Sequence, residues 1–465
     1  MGTYRQYKQD TDFVASWLAS TATARGYLVD LLAYSYSTPA SKTSARLKGK
    51  ARMKARSENA SSPKSANEKW HIIAINDLSL VGKHFTSDSI HHKLKSIKDS
   101  KVELTIIRNN QKQNISVKKE LVPKPSVVAS YMINPTTGYI KITHFSETTY
   151  PEFMIALEKL KKQGLLQMVL DLRGNGGGIM QQAIDIVDEF LPDDKLVVYT
   201  QGSKTGKIDY KCKRDGLFEK GKIALLVDEE SASASEIIAG ALQDWDRAII
   251  VGRRTFGKGL VQEQYNLSNG GALRLTIARY YTPLGRCIQK PYSNGTEAYE
   301  NELQQRLKDG ELEHNDTSRN NGKAYKTPNG KVVYDGGGIS PDVFVPYDTV
   351  EHPKEAIEMY IHGWISEIAL QYYENHKSTI DSYASAVDLN AKLQLGEVEW
   401  NELIVFANKK GISLSGLNPA AKEALLENLK ADIAKIRWYP DGFYMVNNIK
   451  DPAIKAALDA LSSSK

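Results

Sequence analysis

Three short segments of this chain combine groups able to act on a carbonyl with backbone able to reach one. The first is Asp171-Leu172-Arg173-Gly174-Asn175-Gly176-Gly177-Gly178, with four glycines in the five positions 174–178. Glycines allow positive φ and close approach of a ligand to main-chain N–H groups, and the helix expected to follow adds a field that favours negative charge. A phosphate loop would need Gly-Lys followed by Ser or Thr, and a dinucleotide loop a third Gly where Ile179 stands. Neither spacing is present, which leaves an oxyanion as the guest. A plain strand-to-helix turn would need only one or two glycines.

The second segment is Val227-Asp228-Glu229-Glu230-Ser231-Ala232-Ser233-Ala234-Ser235-Glu236-Ile237-Ile238. A serine at such a strand-to-helix junction projects its hydroxyl into a cleft beside the next N–H, as in a nucleophile elbow, although the G-x-S-x-G form is absent. Alone, Ser231, Ser233 or Ser235 would more often be an N-cap. The third segment, Gly252-Arg253-Arg254-Thr255-Phe256-Gly257-Lys258-Gly259-Leu260-Val261-Gln262, sets a lysine between two glycines. A lysine that acts as a base must be neutral, which a close and poorly solvated setting favours. Taken singly, an exposed lysine in a turn is the commoner case. The nine histidines stand at 71, 84, 91, 92, 144, 314, 352, 362 and 376, none between 145 and 313, which favours a base other than imidazole.

Residues 138–285 must position these loops. Apolar strands alternate there with helical segments, the pattern of an α/β fold with crossover connections. Strand 139–143 precedes a helix over 151–162 with Phe153, Leu157 and Leu160 on one face and Gly164 as its stop. Strand 165–172 leads into the glycine loop and a helix with Ile179, Ala183, Ile186, Val187 and Phe190 inward. Strand 223–227, helix 234–242 and strand 248–251 follow. All three loops then leave successive core strands and open at one edge of a parallel sheet, where α/β folds bind ligands. Such convergence makes an acyl-transfer site.

The 465 residues suit about three domains. With 41% hydrophobic and 25% charged residues the composition is globular. A net charge of +6 gives no argument for nucleic acid, and Cys212 and Cys287 make neither a disulfide framework nor a C-x-x-C site. No apolar run near 18 residues and no signal-peptide core after Met1–Lys8 are visible, so a soluble, unexported chain is expected. Loose helical spacing covers 13–34, and seven basic residues without an acid run from Lys42 to Arg56 into a Ser-rich stretch, a solvated linker. Strands are expected at 70–77, 102–108 and 114–117, with a helix around 90–97. Past Tyr347 the sequence is helical and amphipathic, with Trp364, Ile368 and Tyr372 at fourfold spacing. The resulting division is 1–41, 42–68, a small α+β unit at 69–122, the core at 123–347, and a helical domain for packing or assembly at 348–465.

From Lys69 to about Tyr347 the blocks D-L-R-G-N-G-G-G, S-A-S-A-S-E-I-I-A-G-A-L-Q-D, T-F-G-K-G-L-V-Q and G-G-A-L-R-L-T-I-A-R-Y-Y-T-P-L-G-R resemble the carboxy-terminal processing peptidases, or tail-specific proteases, serine peptidases with a Ser–Lys pair. The resemblance implies an α/β core of the crotonase and Clp-protease kind, a partial PDZ-like module at 69–122 and a helical C-terminal domain. It implies Ser233 as nucleophile, Lys258 as general base, and Gln262, one helical-type step past the lysine, as the group orienting it. Ala234 and Gly176 or Gly177 would supply oxyanion N–H groups, and Asp244 structural support. It implies no metal or other cofactor, protein or peptide substrates with accessible C-termini, homo-oligomerisation through the C-terminal helices, and, in the family, a cell-envelope or periplasmic location. Some related cores only bind ligands, so a non-catalytic binding protein is the alternative. The opening T-Y-R-Q-Y-K-Q-D-T-D-F-V-A-S-W-L-A resembles an uncharacterised fungal domain, which places a join between unlike pieces near 65–69.

Overall fold

The computed structural model describes residues 70–81, 101–108, 111–118, 124–292, 295–314, 322–348 and 353–463. The helices expected at 13–34 and 90–97, the linker and the join near 65–69 lie outside the described residues. Of two compact units, the first holds the described residues up to 124 with 358–367, and the second holds 125–357 with the residues from 368 onward.

In the first unit, β1 (Trp70–Ile75), β2 (Leu78–Ser79), β3 (Lys101–Arg108) and β4 (Gln111–Lys118) form an antiparallel sheet in the order β2-β1-β3-β4. Val102, Leu104 and Ile106 are buried and alternate with the more exposed Lys101, Glu103, Thr105 and Ile107 along β3, the period-2 signature of a sheet with one covered face.

The second unit is built on a six-stranded sheet. Its chain order is β5 (Val127–Met132), β6 (Thr137–Ile142), α1 (Thr149–Lys162), β7 (Gln167–Asp171), α2 (Met180–Val187), β8 (Leu196–Gln201), β9 (Ile208–Lys211), β10 (Lys222–Val227), α3 (Ala234–Asp244), β11 (Ile249–Gly252), β12 (Leu260–Asn266), β13 (Ala272–Tyr281), α4 (Gly295–Glu300), α5 (Glu302–Lys308), β14 (Ala324–Lys326), β15 (Val332–Tyr334) and β16 (Val343–Phe344). The large sheet runs β16-β11-β10-β7-β6-β5, parallel except for β5. A second, antiparallel sheet runs β12-β13-β8-β9.

Side chains along the central strands alternate between two cores. Ile140, Met168, Leu170, Leu225 and Ile250 share one with Phe153, Leu157 and Leu160 of α1, Ile186 of α2 and Ile238 of α3. Each of these large apolar side chains contributes about 1.5–3 kcal/mol on burial. Tyr139, Val169, Ala224, Leu226 and Val251 face the other side. The expected inward Ile179 is instead 40% exposed. It is the N-cap of α2, in extended backbone, and so stands outside the helical stripe that buries Ala183, Ile186 and Val187.

The C-terminal helices are α6 (Lys354–Ile361), α7 (Trp364–Asn375), α8 (Lys377–Ser382), α9 (Ala386–Lys392), α10 (Glu397–Lys409), α11 (Pro419–Asn447) and α12 (Pro452–Ser463). α11 kinks at Trp438 and Tyr439, immediately before Pro440, whose ring disfavours helix in the residue preceding it. The segment from 368 onward is not a domain apart from the core. Ala453, Ile454, Ala457 and Leu461 of α12 cover the second face of the sheet, whose apolar side chains would otherwise meet water. No helix among the described residues is long and apolar enough to cross a membrane.

Candidate active site

β7, β10 and β11 lie side by side and parallel, so the loops that follow them leave the same edge of the sheet. Main-chain bonds knit them together. Ala232 N–H donates to Asn175 O at 3.0 Å, and Phe256 N–H to Ser231 O at 3.0 Å. Gly174 N–H donates to the Asp228 carboxylate at 2.9 Å. Phe145 frames the glycine loop from the far side, donating to Gly177 O at 3.0 Å and accepting from Ile179 N–H at 2.9 Å. His144, one residue earlier, sets its Nδ1 against Thr143 Oγ1.

The three serines of the second loop separate by partner. Ser231 donates its hydroxyl to Leu172 O and Ser235 donates its own to Asn175 O, both at 2.9 Å. Ser233 makes no side-chain cap bond. The N–H of Glu236 goes instead to the main-chain oxygen of Ser233. Ser233 has φ 55° and ψ −112°, a sparsely populated backbone state for a residue with a Cβ and one that turns its side chain out of the strand-to-helix junction. Next to it, the Ala234 N–H opens α3 and, among the described residues, has no main-chain partner, and neither has that of Gly176. The Gly177 N–H is taken by Asn175 Oδ1 at 2.9 Å. Gly177 (φ 95°) presses on the serine: a Cβ there would stand 2.7 Å from both Ala232 O and Ser233 Cβ. The loop can approach the hydroxyl only because this residue is glycine.

Lys258 is half-buried, and two side chains bind its main chain to that of the serine. Glu236, in the first turn of α3 and fully buried, accepts from Thr255 Oγ1 (2.6 Å) and Gly257 N–H (2.7 Å) on Oε1, and from Lys258 N–H (2.8 Å) and Ser233 N–H (2.9 Å) on Oε2. Burial pushes this carboxyl above its ordinary 4.5, while those donors, Thr255 foremost, pull it back. From the opposite side the buried Tyr280 hydroxyl meets Ser233 O at 3.1 Å and also Lys258 O. Burial drives this phenol well above its ordinary 10. A second lysine, Lys290, packs against the same loop, but its ammonium lies 3.9 Å from the centre of the Phe256 ring and 3.2 Å from Glu302.

Gln262 lies elsewhere in local geometry than its spacing suggests. It sits exposed in β12, paired with Thr276 next to an irregularity in the ladder. Four residues of extended chain reach up to roughly 13 Å, so no helical turn brings Gln262 back beside Lys258. Asp244, at the end of α3, pairs with Arg286 at 2.6 Å, both buried, and accepts from Leu284 N–H at 2.9 Å. It thereby fixes the turn that follows β13.

Below the glycine loop, Asp171 accepts from Tyr139 Oη (2.8 Å), Lys141 Nζ (3.0 Å) and the Arg173 guanidinium (2.7 Å), and Arg173 continues to Asp451 (2.8 Å) at the start of α12. Burial alone would raise the Asp171 pKa, but Arg173 and then Lys141 hold it below its ordinary 3.8.

Glu236 and Tyr280 are absent from the residues singled out in the sequence. A glutamate three positions after a candidate N-cap is the signal of a capping box, and it marks Ser233 as that cap, although only half of the box is built through side chains. Nothing in the strand pattern of β13 distinguishes Tyr280 from its neighbours.

Residues 136–298 match the model of peptidase family S41. Residues 5–103 and 357–439 match two families of unknown function, DUF6604 and DUF8443, and the first match runs continuously across 65–69. The chain is 35% identical over 208 residues to a carboxyl-terminal-processing protease of Synechocystis sp., covering 44% of this chain and 48% of that protein. It is 38% identical over 195 residues to a carboxy-terminal-processing protease of Bartonella bacilliformis, covering 40% and 44%. The chain thus matches somewhat under half the length of these curated relatives. A solved photosystem II D1 C-terminal processing protease shows 24% identity over 60% of this chain and 64% of its own, with a TM-score of 0.35.

Proposed function

The chain carries a peptidase family S41 domain over residues 136–298, and on that premise we propose that it is a serine endopeptidase that cleaves protein substrates near accessible C-termini through a Ser233–Lys258 pair. One observation carries the reading. Of the three serines in the loop, Ser233 alone leaves its hydroxyl without a partner among the described residues, in a strained turn next to the N–H of Ala234, and its main chain is bridged to that of Lys258.

In the proposed reaction neutral Lys258 takes the Ser233 proton as Oγ attacks a peptide carbonyl. The Ala234 and Gly176 N–H groups hold the oxyanion. Protonated Lys258 then gives its proton to the leaving amine, and a water repeats the sequence to release the acyl half. Gln262 enters this scheme through the resemblance alone. The antiparallel sheet of the first unit supports a PDZ-like module, and the parallel sheet with crossover helices supports a core of the crotonase and Clp-protease kind. Exposed Val387, Val398 and Val405 on α9 and α10 support self-association through the C-terminal helices.

The test is hydrolysis of an unstructured peptide by the purified full chain, with products identified by mass. Ser233→Ala and Lys258→Ala are expected to fold and to lose activity by about 10³-fold or more. Wild-type cleavage by either variant would defeat the assignment, and intact peptide with the wild-type chain would favour a binding protein on the same core.

A further inference from the structure

Ser233 and Lys258 lie in separate loops, and no main-chain bond joins one directly to the other. Two side chains join them instead. On the donor side, both N–H groups meet Oε2 of Glu236, at 2.9 and 2.8 Å. Oε1 takes Thr255 Oγ1 and Gly257 N–H, so all four acceptor positions of the carboxylate are filled by groups from these two loops. On the acceptor side, both carbonyls converge on the hydroxyl of Tyr280, whose residue is only 2% exposed. The peptide groups flanking nucleophile and base are therefore held from both sides, in a place where water cannot substitute for either brace.

We infer that Glu236 and Tyr280 are positioning residues that set the separation of Ser233 and Lys258 through their main chains, without themselves touching the reacting atoms. The inference rests on the Ser–Lys reading given above and deepens it. Its physical content is that proton transfer and attack depend steeply on geometry, where a misplacement of about 1 Å costs on the order of 100-fold in rate. The N–H groups of Glu236 and Ile237 already hold the Ser233 carbonyl, at 2.9 and 3.1 Å, and Tyr280 ties the Lys258 carbonyl to that fixed group. Because Tyr280 comes from β13, the brace also ties the site to the antiparallel sheet.

Tyr280→Phe removes one hydroxyl and keeps the ring, so it opens no cavity. Tyr131→Phe makes the same chemical change at a buried hydroxyl on the other core, where Tyr131 bonds to Tyr444 O and Asn448. The experiment uses the full chain and compares the second-order rate of Ser233 labelling by a fluorophosphonate, kcat and KM for peptide hydrolysis, and the thermal midpoint, in wild type, Tyr280→Phe, Glu236→Gln and Tyr131→Phe. The expected result is a fall of about 10- to 100-fold in labelling rate and kcat for Tyr280→Phe, with KM within about twofold, and no such fall for Tyr131→Phe even where its midpoint drops as far. Glu236→Gln, which replaces two acceptor positions by donors, is expected to lose at least as much. Labelling by Tyr280→Phe within about twofold of wild type overturns the inference while leaving the Ser–Lys pair intact. A wild-type chain that the probe does not label overturns that pair, and the inference with it.

Discussion

The main-chain N–H groups of Ser233 and Lys258 donate to one and the same carboxylate oxygen, at 2.9 and 2.8 Å. Residues 25 positions apart in sequence thus share an acceptor, and the acceptor belongs to the first turn of the helix that Ser233 begins. The strained φ of 55° at Ser233 is held in part by this bond, which fixes the plane of the preceding peptide.

Gly177→Ala tests how close the glycine loop must come. The added methyl would enter within 2.7 Å of Ser233 Cβ at a residue with φ 95°, so either the loop or the serine turn must move. The expected outcome is a stability loss of about 1–3 kcal/mol by denaturant midpoint and a fall in kcat of about 100-fold or more. Gly176→Ala, where a Cβ would meet nothing within 4 Å, is expected to be far milder in stability.

The loops and their convergence were legible in the sequence because they depend on local pattern. Buried strands ending in glycine or serine clusters, the first two followed by a helical stripe, point to a parallel sheet and therefore to one ligand edge. What was not legible depends on burial. Lys141 stands in a strand where its charge suggests a solvent-facing position, yet it is buried against Asp171 because α12 covers that face. Glu236 reads as a capping residue, and only the arrival of the 255–258 loop turns it into a shared acceptor. The spacing of Gln262 from Lys258 suggested a helical turn, whereas the β12–β13 ladder makes the segment extended.

The Asp171 cluster makes stability depend on acid in a definite direction. Its carboxyl has a folded pKa below the unfolded 3.8, so its contribution is full above about 3.8 and is lost as pH falls through the folded value. Asp171→Asn, which leaves the buried Lys141 and the half-buried Arg173 beside a neutral amide, is expected to cost about 3 kcal/mol near neutral pH. Thermal midpoints of both proteins from pH 7 to about 2 check this, with the difference between them constant down to about 4 and narrowing below it. Parallel curves across that range would remove Asp171 as the source of the acid sensitivity.

Gln262→Ala separates what the resemblance implies from what the geometry supports. An exposed strand residue with no bond to Lys258 is expected to change kcat by less than about 10-fold, against about 10³-fold or more for Lys258→Ala. Peptide hydrolysis at saturating substrate measures the difference. A loss as large as that of Lys258→Ala would show that β12 reorganises when substrate binds.

The most direct measurement of the central claim is mapping of a trapped adduct. The full chain is treated with a serine-directed acylating probe, digested, and the modified residue located by mass. The expected result is one adduct, on Ser233, absent in Lys258→Ala. A Ser233 adduct forming equally fast in Lys258→Ala, or modification at Ser231 or Ser235 in place of Ser233, would contradict it.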